Sequence, residues 1–79
     1  MPRYFFDIHD GSHTRDDVGV ECADLQSVAL AAKKILPAVA KDEVPKGSEL
    51  QSVMVLVTDE DGRPVYSAAL TYTGNWLLR

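Results

Sequence analysis

The chain has 79 residues, enough for one domain and too few for two. Hydrophobic residues make up 46% and charged residues 25%, a globular composition that excludes a disordered or low-complexity chain. The formal net charge of -4, from 8 basic and 12 acidic residues, opposes long-range attraction to nucleic acid or anionic lipid.

Residues 3–9 open with Tyr4-Phe5-Phe6 and run to Ile8, which predicts a β-strand. The start has no long apolar stretch and no cleavage-site pattern, so no targeting segment is expected, and no run reaches the roughly 18 apolar residues of a membrane span. Asp10-Gly11 supplies a tight turn, because both residues tolerate positive φ. A short return strand is expected over His13 to Asp16, followed by an irregular extended segment through Val18-Gly19-Val20 with Gly19 as a bend. Cys22 is the only cysteine, which rules out a disulfide within the chain and suggests a reducing, cytoplasmic setting.

Asp24 has the right chemistry for an N-cap. From there Leu25, Val28, Ala29, Ala32, Ile35, Leu36 and Val39 recur at spacings of three and four and form one helical stripe. Pro37 interrupts the pattern, and because the apolar spacing persists to Val39 a kinked helix is favoured over two separate ones. Pro45-Lys46-Gly47-Ser48 reads as a stop and linker.

Residues 50–58 are rich in β-branched types and form the strongest predicted strand. Asp59-Glu60-Asp61-Gly62 is a hairpin loop, and Val65 to Thr73 returns as the last strand. If Thr58 faces Arg63 across that loop, Val55 faces Tyr66 and Val53 faces Ala68. One face then carries Val53, Val55, Val57, Tyr66, Ala68 and Leu70, the expected core side. The other carries Met54, Leu56, Val65 and Ser67, still partly apolar. The first strand is two-sided in the same way, with Tyr4, Phe6 and Ile8 opposed to Arg3, Phe5, Asp7 and His9. A single helix covers one face of a sheet, so the surplus apolar positions, Leu30 on the helix among them, suggest a second contact surface, most simply a homodimer.

Asp7, His9, Asp10, His13, Asp16 and Asp17 hold the densest group of metal-type donors. Asp7 and His9 share a strand face and are the metal candidates. A two-residue turn at Asp10-Gly11 would pair Ile8 with His13 and set His13 on the opposite face, whereas a longer loop would change that geometry. The spacing matches no strong metal pattern, and a solvated polar face with a turn is the simpler explanation. Asp59-Glu60-Asp61-Gly62 resembles the start of a calcium loop, but the chain goes straight into Arg63-Pro64-Val65, so a hairpin turn fits better. Cys22 precedes a helix N-terminus, yet its neighbours Val20 and Ala23 suit a small buried residue rather than a nucleophile. Trp76 could stack on a ligand or base, but covering the core or an interface is the simpler role.

Arg3-Tyr4-Phe5-Phe6-Asp7, the Asp10-Gly11 turn, Asp17-Val18-Gly19, the Asp24-Leu25 helix start and Asp59-Glu60-Asp61-Gly62-Arg63 follow one another in an order and spacing that resembles a family of short bacterial proteins. That family is catalogued as domain of unknown function 6894 and is common in alpha-proteobacteria. The resemblance spans Arg3 to about Leu70 and agrees with the fold expected here. It brings no activity, cofactor or catalytic residue with it. Pro37 and the Trp76 tail are the less typical features.

The expected architecture is α+β, a single domain over residues 1–79 in the order β-β-α-β-β, with two hairpins in one antiparallel sheet and one amphipathic helix on one face. The expected function is a non-enzymatic, homo-oligomeric, cytoplasmic interaction module with no cofactor and no membrane span. Its interface would include Phe5, Leu30, Met54, Leu56 and Trp76, and it would also serve a protein partner. The alternatives are a small-ligand or metal-binding accessory protein using Asp7 and His9, and a nucleic-acid-associated regulator presenting Lys33, Lys34 and Lys41. An enzyme is the reading with least support, since no catalytic set assembles in the sequence.

Overall fold

The computed structural model describes residues 1–78. The aromatic run at the start forms β1 (Arg3–His9), followed by two short strands, β2 (His13–Thr14) and β3 (Val20–Glu21). A single helix, α1 (Leu25–Glu43), runs into a 3-10 turn at Val44–Lys46, and the long hairpin β4 (Leu50–Thr58) and β5 (Pro64–Thr73) follows. All pairings are antiparallel and the sheet order is β2-β1-β4-β5, with β3 pairing to β1 as well. This is the α+β arrangement expected from the sequence, with one strand more than the two hairpins require.

Segregation of side chains by strand face explains where the core lies. Phe6 pairs with Val57 and Ile8 with Val55, while Val53, Val55 and Val57 pair with Leu70, Ala68 and Tyr66. Val53, Val55 and Val57 are completely buried, and the helix lays Val28, Ala32, Leu36 and Ala40 against them. The core face is the one anticipated, although the register is shifted by two residues: Tyr66 faces Val57, not Val55. A shift of two preserves the faces because the side-chain period is two. One residue of the shift comes from a loop one residue longer than expected, which sets Thr58 against Pro64 rather than Arg63, and the other from an irregularity between Val57 and Thr58.

One further expectation is corrected, and the expected single helix through Pro37 is found. Leu25 belongs to the apolar stripe by spacing but is 61% exposed, because it lies in the first turn, at the N-terminal end of the helix. Ala40 is buried as well, so the stripe runs one residue further than Val39. Pro37 does not end the helix, which continues through it to Glu43. Asp24 caps the helix as expected, its carboxylate accepting from the Ser27 N–H at 2.8 Å and the Ser27 hydroxyl at 2.9 Å.

The first hairpin also differs from the two-residue turn considered above. Its loop is Asp10-Gly11-Ser12, and His9, not Ile8, pairs with His13. Asp10 donates its N–H to the Ser12 carbonyl at 3.1 Å, and Gly11 supplies φ +106°. The extra residue turns His13 onto the face of Asp7 and His9. The return strand covers only His13–Thr14, and Val20–Glu21 forms a second short strand where an irregular segment was expected.

Candidate functional site

The sheet face away from α1 carries Phe5, Asp7 and His9 from β1 and Met54, Leu56 and Thr58 from β4. At its β2 end the His9 and His13 rings stack, with centroids 4.2 Å apart and planes 13° from parallel. His13 Nε2 lies 3.8 Å from Asp7 Oδ2. Beside this pair an open cleft of about 510 Å³ is lined by Phe5, Asp7, His13, Arg15, Asp16 and Asp59 among others. This is the one place where the donors singled out in the sequence gather.

Their hydrogen bonds show how those donors are used. Asp16 donates its N–H to Asp7 Oδ1 at 3.0 Å. Asp16 Oδ1 accepts from the N–H groups of Val18 and Gly19, at 3.0 and 2.9 Å, and Oδ2 accepts from the Phe6 N–H at 3.1 Å. Burial raises the cost of the Asp16 charge, but the N–H groups of Gly19, Phe6 and Val18 and the Arg3 guanidinium outweigh it and hold the carboxyl below its usual 3.8. Asp59 Oδ1 accepts from the N–H groups of Asp61 and Arg63, both at 2.9 Å, which closes the β4–β5 loop. Arg3 bridges to Glu21 at 3.0 Å and donates to the Val18 carbonyl at 3.0 Å, while its own N–H reaches Glu60 at 3.2 Å.

These carboxylates therefore fasten loops to strands. Asp7, the first metal candidate, is partly engaged by the Asp16 N–H, and His9 is stacked on His13. Among the described residues no three His, Cys, Asp or Glu side chains converge as a metal-binding group. Cys22 is buried and free, with its N–H donated to the Pro2 carbonyl at 3.0 Å. The structural part of Asp16 was the feature missed in the sequence. The Asp16-x-x-Gly19 spacing was its signal, an aspartate whose side chain bonds the backbone two and three residues ahead.

A family model described as a domain of unknown function, DUF6894, matches residues 3–71. The chain belongs to that family. The match takes in both hairpins and the helix and stops inside β5, at Thr71. No curated protein and no solved structure matches the chain.

The expected interface residues fall in three places. Phe5 and Leu56 are half-buried and Met54 exposed, all on the sheet face away from α1. Leu30 is exposed on the helix. Trp76 lies beyond β5 and is 79% exposed, so it does not cover the core. No helix among the described residues is long and apolar enough to cross a membrane.

Proposed function

We propose that this domain is a non-enzymatic interaction module that assembles with a second copy of itself and presents the resulting surface to a protein partner. The observation that carries this reading is the one-sided cover of the sheet. α1 covers a single face, and even there Leu70 and Tyr72 near the end of β5 stay exposed, as do Trp76, Leu77 and Leu78 beyond it. Domains of this length sit near the lower limit of a self-sufficient core, and association is one of the ways they gain stability. The acidic cluster supports the same reading, since both Asp16 oxygens and Asp7 Oδ1 accept from backbone N–H groups. A lone, buried Cys22 fits a reducing, cytoplasmic setting.

The other readings have less support. Lys33, Lys34 and Lys41 are exposed on α1, but a chain with 12 acidic and 8 basic residues offers nucleic acid little net attraction. Asp7, His9 and His13 share a face without a convergent donor set.

Size-exclusion chromatography with light scattering over a concentration series tests the proposal. The expected species has twice the 8.7 kDa chain mass. A monomer at every concentration ends it.

A further inference from the structure

The two edges of the sheet differ. On one side β2 and β3 pair with β1 in turn, and Asp16 takes the Phe6 N–H between them, so that edge is interrupted and edged with charge from Arg3, Glu21 and Arg15. On the other side β5, Pro64–Thr73, pairs only with β4. Natural edge strands are normally blunted by charge, bulges or brevity. β5 is long, and none of the chain's 8 basic and 12 acidic residues falls within residues 64–78.

The register identifies the unpaired groups. Phe6 turns its N–H away from β4, so the odd-numbered residues of β1 turn theirs toward it. The pairings Phe5 with Thr58 and Val55 with Ala68 then direct the even-numbered residues of β5 toward β4. Over the regular part of the strand, Ser67, Ala69, Thr71 and Thr73 are left with N–H and C=O groups pointing outward.

We infer that this edge of β5 pairs antiparallel with the same edge of a second copy, about a two-fold axis through Ala69. The inference deepens the self-association proposed above and rests on it. An axis at Ala69 matches Ser67 with Thr71 and Ala69 with itself, and brings Thr73 opposite Val65 at the irregular start of the strand. Pro64, which has no N–H to offer, falls outside the new ladder. On the α1 side the same register sets Tyr66 opposite Tyr72 and Leu70 opposite Ala68. Leu70 and Tyr72 are 42% and 46% exposed on the core face of the sheet, and the second copy covers them there.

Charge and area favour a second copy as the occupant. Two chains of net charge -4 repel, and the uncharged stretch 64–78 is where they approach with least like-charge contact. The strand presents roughly 30 Å of edge at the usual rise. With Leu70 and Tyr72 on the strand and the exposed Trp76, Leu77 and Leu78 following it in the chain, burial comes to about 500 Å² per protomer, or about 1,000 Å² in total, the threshold for a specific interface. Because each copy uses the same edge, and the opposite edge consists of two two-residue strands, the pairing closes as a dimer and does not propagate into a filament.

The test compares variants by light scattering, with circular dichroism to verify the fold. Ala69→Pro removes one outward N–H and no bond to β4, and Ala69→Lys sets two ammonium groups opposite each other on the axis. Both should weaken the dimer by about 100-fold or more while the spectrum is retained. Val18→Lys, on the opposite edge of the sheet, where the side chain is 75% exposed, should leave it intact. Mixing Ser67→Cys with Thr71→Cys under mild oxidation should give the mixed disulfide far faster than either variant alone, since paired Cα atoms lie about 5.5 Å apart. A wild-type dimer that survives Ala69→Pro and Ala69→Lys, or that Val18→Lys dissociates, overturns the edge pairing and leaves self-association standing. A wild-type monomer overturns both.

Discussion

Asp16 donates its backbone N–H to the side chain of Asp7 at 3.0 Å, and its own carboxylate returns a bond to the strand through the Phe6 N–H at 3.1 Å. This reciprocal pair anchors the segment between β2 and β3 to β1, where no continuous strand does so. Asp16→Ala would leave the N–H groups of Phe6, Val18 and Gly19 without their acceptor. The expected loss is about 1–2 kcal/mol after allowance for solvent screening at a partly exposed site. Urea denaturation measures it, and a change too small to resolve would show that water replaces the carboxylate.

The same group gives the fold an acid limb with a definite sign. Its carboxyl is held below 3.8 in the folded state, so the unfolded chain binds the proton more readily. The Asp16 contribution is complete above the unfolded value and is lost as pH falls from about 5 through 3.8 toward the folded value. Asp24, held below 3.8 by the Ser27 N–H and hydroxyl, acts in the same direction. Asp16→Asn should flatten stability against pH in that window and leave its slope near neutrality unchanged. An identical acid limb in the variant would assign it to other carboxylates.

Gly19 stands where a side chain has no room. Its φ is +79°, and a Cβ there would lie 2.7 Å from Arg3 Cγ and 3.0 Å from Phe5 Cε2. Gly62 has nearly the same φ, +80°, but nothing within 4 Å of that position. Gly62→Ala therefore isolates the backbone strain, about 1 kcal/mol. Gly19→Ala adds displacement of Arg3 from its bonds to Val18 and Glu21, for about 2–3 kcal/mol in all. Equal midpoints for the two variants would mean that Arg3 moves aside at no cost.

The residues that announced this fold are those whose pattern is set by local geometry. Alternation placed β1 at Arg3–His9 and β4 at Leu50–Thr58, and the spacing from Leu25 placed α1. What stayed hidden depends on single residues acting across space. One additional loop residue, Ser12, moved His13 to the other face, and one additional loop residue after Thr58 together with the irregularity at Val57 moved the β5 register by two. The candidate site was legible as a cluster of donors but not as a fastening, because the bonds of Asp16 run to Phe6 and Asp7, 10 and 9 residues away.

Leu25 and Leu36 have the same side chain and lie on the same periodic stripe, yet Leu25 is 61% exposed and Leu36 is buried. Leu36→Ala should cost about 2–4 kcal/mol, through lost transfer energy and a residual cavity. Leu25→Ala should stay within about 0.5 kcal/mol. A large loss at Leu25 would show that the first turn of α1 packs against something other than its own sheet, and concentration dependence of that loss would trace it to a second copy.

Pro37 reverses the usual sign of a core-adjacent mutation. It is exposed inside a helix that runs on to Glu43, so the Lys33 carbonyl lacks the donor a helix would supply four residues later. Proline in a helix interior is about 3 kcal/mol less favourable than alanine. Pro37→Ala restores the N–H and removes the ring from the preceding turn, and should raise stability by about 1–3 kcal/mol, seen as a higher urea midpoint at unchanged slope. Leu36 and Ala40, on either side of the interruption, both reach the sheet. If a bend at Pro37 is what brings Ala40 down, straightening the helix would lift it away, and the variant would lose stability instead of gaining it.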